Sequence, residues 1–416
     1  MPSWKLGKPS ARSCCKAGPE NAVSNASAQQ RVKEQYERWP YPEPIVDLEA
    51  WLAHNWQWFD PSHAALQLWP EGPPGNNLEI LIAGCGTNQA AIFAFNNPEA
   101  HVVGIDVNQT GLEHHQALKQ RHGLDNLELR ALPIEQVSEL ERSFDLIVST
   151  GVLHHLDDPA AGLKALAGCL KPQGCIGLML YARYGRIGVE LVQQIAQDLE
   201  LEANDEGVEL LKACLQQTSP HHPLRGYLSV ANDLDFDGGL IDTFLPKREH
   251  SFRVNDCLDL VAKAGLTFQN WLFNSPYYPQ TKRSATDAFI ARVSALPVER
   301  QWCVMERLNT LNACHFFMAC GATRKIAPAG FPPMTDLLAR VPVLRQPFTI
   351  KDQQLHRHQQ RVVLREHNQR LLARIDGTCT VAEICDGLDQ AATLNIVAEL
   401  WRLDVIALAE QNRSHQ

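Results

Sequence analysis

Two stretches decide the fold of this chain: LEILIAGCGTNQ at residues 78–89 and HVVGID at residues 101–106. The first opens with an apolar, β-branched run that is typical of a buried strand, and it then turns through the glycines of GCGTN before an amphipathic run. The second repeats the strand pattern and ends in Asp106, 20 residues after Gly86. A strand, a glycine turn, a helix and a second strand in this order indicate a parallel sheet.

The same alternation continues on both sides of these stretches and predicts a layered α/β fold. Strands are expected at 78–83, 101–106, 127–132, 144–150 and 175–181, with helices at 89–95, 109–122 and 159–170. Two further strands are expected at 267–273 and 287–293. The predicted fold class is α/β, with a doubly wound, mostly parallel seven-stranded sheet, a helical lid insertion and a small α-rich C-terminal domain.

Composition narrows the class of protein. The 416 residues carry a formal net charge of -9 and are 45% hydrophobic, which allows two or three domains and argues against a nucleic-acid partner. No apolar run approaches the ~20 residues that span a bilayer, so no membrane association is expected. The 12 cysteines lie singly in apolar stretches apart from an N-terminal pair, without ligand spacing. Reduced thiols, no metal and a cytoplasmic location are therefore predicted.

The glycine turn alone allows more than one ligand. A dinucleotide site would have a third glycine where this chain has Gln89. Residues 79–181 instead resemble the catalytic core of the class I, Rossmann-like S-adenosylmethionine-dependent methyltransferases. The resemblance rests on GCGT, the Asp106 strand end, FDLIVS at 144–149, GVLHHL at 151–156 and LKPQG at 170–174, in the order of that family.

The resemblance implies a site for S-adenosyl-L-methionine at the carboxyl edge of the sheet. The methionine and ribose parts would contact the glycine turn, and the ribose would also contact the end of the second strand. The adenine would contact the segment after the third strand, and the sulfonium would lie at the end of the fourth strand. The residues implied are, in that order, Ala83, Gly84, Cys85 and Gly86; Asp106 and Val107; Pro133 and Ile134; Thr150 and Gly151.

Three positions depart from the family pattern. Ile82 stands where an acidic residue is frequent, which removes one partner for the methionine amino group. Asn88 stands where a third glycine is frequent, and we expect this substitution to be harmless because asparagine tolerates a left-handed backbone. Pro133 stands where an aspartate is frequent. These departures motivate an alternative to the enzyme: a non-catalytic binding or regulatory protein on a degenerate methyltransferase fold.

The predicted function is methyl transfer to an unidentified small-molecule or peptidyl acceptor. An acceptor that must lose a proton needs a general base, and His155 is the candidate because it follows the fourth strand at the ligand edge. The competing interpretation is that His154 and His155 only pack the loop. Around the acceptor, the insertion supplies His221, His222, Arg225 and Asp242, and the N-terminal arm supplies Tyr36, Trp39 and Tyr41, with packing favoured for Trp39.

We divide the chain into a disordered leader at 1–34, an N-terminal helical arm or lid at 35–77 and a cofactor-binding domain at 78–293 with an insertion at about 183–250. A helical segment and linker at 294–333 and a winged-helix-like domain at 334–416 complete it. Eight basic residues between Arg340 and Arg374 suggest DNA binding, but the domain as a whole is balanced in charge. Docking of a protein partner, or a regulatory role, is the favoured function of this domain.

Overall fold

The computed structural model describes residues 37–75, 77–231, 234–246, 248–279, 287–326, 329–345, 348–351, 354–357, 360–362 and 370–410. The predicted leader and Tyr36 lie outside these residues. So do the side chains of Lys351, Arg357, Arg361 and Arg365, which are four of the eight basic residues of the C-terminal segment.

Seven strands form the central sheet: β1 (Glu79–Ala83), β2 (His101–Asp106), β3 (Leu127–Ala131), β4 (Phe144–Thr150), β5 (Leu170–Tyr181), β6 (Leu266–Trp271) and β7 (Cys314–Gly321). Their order is β3-β2-β1-β4-β5-β7-β6. Strands β1 to β5 are parallel, and β7 is antiparallel to both β5 and β6. The chain changes direction across the sheet between β1 and β4, where α/β sheets open a ligand crevice at their carboxyl edge. The predicted doubly wound, mostly parallel sheet is confirmed.

Both faces of the sheet are covered, as the apolar strands require. In β1, Leu81 and Ala83 belong to one apolar cluster, whereas Ile80 and Ile82 belong to the cluster on the opposite face. The helices nearest the sheet are Gln89–Asn96, Gln109–His122, Pro159–Gly168, Val254–Lys263 and Val298–Leu308, with short 3-10 turns at Ile134–Leu140 and Leu153–His155. This alternation fixes the register of each strand and so places the loops at its carboxyl edge.

The seventh strand differs from the prediction. Asp287–Ser294 is a helix, and the strand lies further on at Cys314–Gly321, within the predicted helical segment and linker at 294–333. The 287–293 run is short, and periodicity alone does not separate a strand from a helix at that length. The core sheet therefore does not end near Val293. The LKPQG segment at 170–174 is part of β5, which begins at Leu170 and not at the predicted residue 175.

The segment between β5 and β6 contains the insertion, which is helical as predicted. Its helices are Ile187–Asp198, Asp205–Gln217, Leu224–Leu228 and Asp237–Phe244. They pack around an apolar cluster of their own, which includes Val192, Leu211 and Leu240. The insertion can therefore act as a unit above the sheet edge.

The C-terminal segment has more strand than predicted. Two antiparallel arrangements occur, one of β8 with β12 and one of β9, β10 and β11. Their bounds are β8 (Val341–Leu344), β9 (Phe348–Lys351), β10 (Gln354–Arg357), β11 (Gln360–Val362) and β12 (Ile406–Ala409), and the helices are Met334–Leu337, Val381–Cys385 and Gln390–Arg402. A winged-helix module is not confirmed for this segment.

Buried polar contacts tie this segment to the core. Arg345 and Asp404 form an ion pair at 2.9 Å in which both residues are less than 10% exposed. Asp404 also accepts hydrogen bonds from the backbone N–H of Asn274, at 2.6 Å, and of Ser275, at 3.0 Å, just beyond β6. Within the described ranges, no helix is both long and apolar enough to cross a bilayer.

Candidate functional site

A cleft of about 1740 Å³ lies at the carboxyl ends of β1, β2 and β4. Ten of the eleven residues predicted for the site line it: Gly84, Cys85, Gly86, Asp106, Val107, Pro133, Ile134, Thr150, Gly151 and His155. Ala83 does not; it is fully buried at the end of β1. The structure thus brings together residues from four separate loops, while their binding roles stay predictions.

The glycine loop is shaped by protein neighbours as well as by the space left for a ligand. Gly84 and Gly86 have φ values of +77° and +58°, which side chains other than glycine rarely adopt. A Cβ on Gly84 would collide with the side chain of Val152, and one on Gly86 would lie 3.0 Å from Cδ of Pro42. Both glycines are therefore required by the packing of the loop.

A buried histidine supports the loop from below. His115 Nε2 lies 3.3 Å from the carbonyl oxygen of Cys85. Burial lowers the pKa of His115 to about 4, so the ring is neutral near pH 7. Because a carbonyl oxygen can only accept, Nε2 carries the hydrogen and donates it to Cys85.

Asp106 joins the glycine loop to the end of β2. Its carboxylate accepts the backbone N–H of Gly86 and that of Asn108, each at 2.8 Å. Burial raises the pKa of this carboxyl, and the backbone N–H groups of Asn108, Gly86 and Val107 oppose the rise. A carboxylate has about four lone-pair sites, so about two stay free toward the cleft. That is the number needed by the two hydroxyls of a ribose.

The N-terminal arm, residues 38–47, lies along the glycine loop. Asn88 Nδ2 donates to the carbonyl of Glu43 at 2.8 Å, and its Oδ1 accepts the N–H of Ile45 at 2.9 Å. Thr87 Oγ1 donates to the carbonyl of Pro42 at 2.7 Å. The φ of Asn88 is −135°, so the residue does not use the left-handed backbone that asparagine tolerates. The side chain replaces the family's glycine because it fastens the arm.

The arm also contacts the insertion. The ring of Tyr41 stacks on Phe236 with centroids 6.2 Å apart, and Trp39 Nε1 donates to the carbonyl of Ala203 at 3.2 Å. Trp39 thus packs, as favoured from the sequence. Arm and insertion together form the wall of the cleft opposite the sheet.

The two histidines after β4 have different environments. His154 is fully buried, its ring stacks on Tyr181 at 3.8 Å between centroids, and burial holds its pKa well below 6.5. His155 lines the cleft, and its Nδ1 lies 2.8 Å from the carbonyl oxygen of Arg248. Nδ1 therefore carries the hydrogen of this contact, which leaves Nε2 as the ring nitrogen that can accept a proton. His155 is the one of the pair that is suited to accept a proton.

Several buried polar side chains lie beside His155, and of these only Asp242 was predicted from the sequence. The ring of Tyr181 has His154 on one side and the guanidinium of Arg186 3.6 Å from its centroid, and its hydroxyl donates to Asp242 at 3.3 Å. Arg186 in turn pairs with Glu249 at 3.0 Å. Burial raises the pKa of Tyr181 well above 10, so its hydroxyl stays a donor. Tyr181 and Asp242 both line the cleft.

The other polar residues predicted from the insertion do not line the cleft. Arg225 donates to the carbonyls of Thr218 and Ser219 at 2.6 and 3.3 Å, and His222 Nδ1 accepts the N–H of Leu224 at 3.1 Å. These contacts stabilise the turn before the helix Leu224–Leu228. His221 is likewise outside the cleft lining.

Several basic residues of the C-terminal segment are already engaged within the chain. Arg340 pairs with Glu410 at 2.9 Å, and Arg345 pairs with Asp404. Arg374 donates to the carbonyls of Ile384 and Asp386, each at 3.0 Å. These three are therefore not available as a patch for a phosphate backbone.

Residues 81–176 match the family described as a methyltransferase domain. An uncharacterized protein from Synechococcus sp. is 28% identical over 291 residues, with 68% of this chain and 69% of that protein covered. A tRNA U34 carboxymethyltransferase from Shewanella sediminis is 29% identical over 170 residues, with 37% of this chain and 49% of that enzyme covered. The matches cover between 39% and 59% of the length of the curated methyltransferases.

Among solved structures, PKMT2 from Rickettsia typhi in complex with AdoHcy superposes with a TM-score of 0.60. The two chains are 14% identical, and the superposition covers 85% of this chain and 75% of that one. At this identity the likeness concerns the fold. The family match over residues 81–176 and the relatives named as methyltransferases identify an S-adenosylmethionine-dependent methyltransferase domain on this Rossmann-like sheet, with S-adenosyl-L-methionine as cofactor.

Proposed function

We propose that the chain transfers the methyl group to a small-molecule or peptidyl acceptor of neutral or positive charge, with His155 as the general base. The observation that carries the proposal is the composition of the cleft wall. Among the described residues that line it, seven carboxylates face one guanidinium, that of Arg248. The carboxylates are those of Glu43, Asp47, Asp106, Glu135, Asp157, Asp235 and Asp242.

The charge of the cleft selects among acceptors. A wall that is strongly acidic repels phosphates and carboxylates, and Arg248 is already paired with Asp157. Aromatic rings of Trp58, Tyr227 and Phe316 stand among the carboxylates and favour apolar or cationic groups. A polyanion such as RNA is the acceptor that this wall suits least, although one of the relatives acts on tRNA.

The size of the cleft supports an acceptor bound next to the cofactor. Small-ligand pockets usually measure about 300–1,000 Å³, and this cleft is larger at about 1740 Å³. The glycine loop and Asp106 border one part, and His155, Tyr181 and Asp242 border another. The second part has room for a small molecule or a single side chain of a peptide.

S-adenosylmethionine supplies a methyl group that is already activated on a sulfonium, so the residues of the chain mainly align, exclude water and move a proton. The acceptor atom gains the methyl group and gives up its proton to Nε2 of His155. The N–H on Nδ1 keeps its hydrogen bond to Arg248 throughout, which holds the ring in the tautomer that can accept.

The test is His155→Ala, with His221→Ala as a matched control outside the cleft. Methyl-labelled cofactor is incubated with protein, small-molecule and RNA fractions of an extract from cells that lack the gene. We expect His155→Ala to bind the cofactor normally and to label its acceptor ~10²–10⁴-fold more slowly, the usual contribution of a positioned base.

Equal labelling rates would show that His155 only packs the loop. Labelling confined to RNA would overturn the acceptor class, and no cofactor binding at millimolar ligand would favour the degenerate-fold alternative.

A further inference from the structure

Gln89 is a buried polar residue of the cleft to which no role has been assigned so far. It is the first residue of the helix Gln89–Asn96, is 7% exposed and lines the cleft. Its Oε1 accepts the hydroxyl of Thr150 at 3.0 Å. Its Nε2 is buried and has no hydrogen-bond partner in the part of the chain that the structure describes.

A buried N–H donor without a partner destabilises the protein unless a ligand satisfies it. The bond to Thr150 fixes the amide, because the oxygen is occupied and only the NH₂ group is free. We propose that Gln89 Nε2 donates to the α-carboxylate of S-adenosylmethionine, and that Thr150 is the positioning residue that holds the amide in that orientation.

The position of Gln89 at the start of a helix suits an anionic group. The N-terminus of a helix carries partial positive charge and free N–H groups. The preceding residue, Asn88, makes no side-chain cap, because its amide is bound to the N-terminal arm. An amide donor and an uncapped helix end therefore occur at the same point of the cleft.

The described lining of the cleft offers the carboxylate no unpaired Arg or Lys side chain. The guanidinium of Arg248 is the single Arg or Lys side chain among the described lining residues, and it is paired with Asp157. In an otherwise acidic cleft, the one anionic group of the cofactor needs neutral donors. Gln89 supplies such a donor where a dinucleotide fingerprint would have glycine, which has no side chain to donate.

The experiment compares three ligands by titration calorimetry: S-adenosylmethionine, S-adenosylhomocysteine and decarboxylated S-adenosylmethionine. In Gln89→Ala, we expect the affinity for the first two to fall roughly 10- to 100-fold, the effect of losing a hydrogen bond to a charged group. The affinity for the decarboxylated ligand should stay within about twofold. Gln89→Glu should weaken the first two further, because it places two carboxylates together, and should spare the third.

Gln109→Ala is the matched control, because Gln109 is the first residue of the next helix and is exposed. It should bind all three ligands as the wild type does. Thr150→Val should lower the affinity for the two carboxylate-bearing ligands by a smaller factor than Gln89→Ala. Thermal melting of each variant separates a folding defect from a binding defect.

Two results would overturn the proposal: equal losses for all three ligands in Gln89→Ala, or no loss for any. The first would make Gln89 a structural support of the loop, and the second would place the carboxylate elsewhere. Because the readout is binding, neither depends on finding the acceptor or on the role of His155.

Discussion

Replacement of Asp106 by alanine tests the cofactor site most directly. The carboxylate accepts the N–H of Gly86 and that of Asn108 at 2.8 Å, and it has about two lone-pair sites left for ribose hydroxyls. Asp106→Ala removes both sets of hydrogen bonds. The ribose loses its partner, and the glycine loop loses its tie to β2.

The size of the effect follows from these contacts. Hydrogen bonds to a charged acceptor contribute about 1.5–3 kcal/mol, which corresponds to roughly 10- to 150-fold in the dissociation constant for S-adenosylmethionine. Asp106→Asn should lose nearly as much, since an amide has one acceptor oxygen and its NH₂ would face the N–H of Gly86 or Asn108. Because burial raises the pKa of Asp106, wild-type affinity should also fall on acidification as the carboxyl takes up its proton.

Titration calorimetry at neutral and acidic pH gives both quantities. Asp125→Asn is the matched control, since Asp125 is an exposed aspartate just before β3. It should leave the dissociation constant unchanged. A folded Asp106→Ala protein that binds S-adenosylmethionine within twofold of wild type would refute the assignment of this carboxylate to the ribose.

Three further predictions concern the arm, the C-terminal segment and the loop support. Asn88→Gly removes two hydrogen bonds to the arm, so trypsin cleavage after Arg38, at the start of the arm, should become about 5- to 100-fold faster. The cleavage is followed by gel electrophoresis, and an unchanged rate would argue against this attachment of the arm. Arg345→Ala leaves Asp404 buried without its cation and should lower the free energy of unfolding, measured by denaturant titration, by about 3–5 kcal/mol. The ion pair of Arg340 with Glu410 is more exposed, so Arg340→Ala should lower it by about 1 kcal/mol or less. Burial lowers the pKa of His115 from 6.5 to about 4, so on acidification the unfolded chain takes up a proton on this ring before the folded chain does. The folded state therefore loses stability as the pH falls from 6.5 to about 4. His115→Gln should make the melting temperature fall less steeply over this pH range.

The strands β1, β2 and β4 could be predicted from sequence because they are buried on both faces, whereas the edge strand β3 is partly exposed and was placed by its position in the alternation of strands and helices. Their residues read as short β-branched runs bounded by turns, and β2 and β4 were placed to the residue. The strand β7 was not predicted, because its partners β5 and β6 are distant in sequence and CHFFMACG alone does not show that it pairs with them. The helix Asp287–Ser294 shows the reverse case, a short apolar run without enough length to reveal its period.

The part of the site that follows one strand or one loop was accessible to sequence reasoning, and the part made by long-range contact was not. The glycine loop and Asp106 lie within 25 residues of each other, and their spacing carries the signal. The bonds of Asn88 to the arm span 43 and 45 residues, and that of Tyr181 to Asp242 spans 61. Nothing local in the sequence indicates which distant backbone an asparagine will bind.

The departures from the family pattern are better explained by packing than by loss of function. Ile82 is fully buried and belongs to the same apolar cluster as Ile80 and Val148, where a carboxylate would be desolvated at high cost. Asn88 is 3% exposed, and its amide makes two hydrogen bonds to the N-terminal arm, which lines the cleft. A degenerate site would show substitutions without such contacts, because nothing would select for partners. Here Ile82 packs in the core next to the glycine loop, and Asn88 binds the N-terminal arm. These contacts favour a cofactor site that is bordered by the N-terminal arm of the same chain.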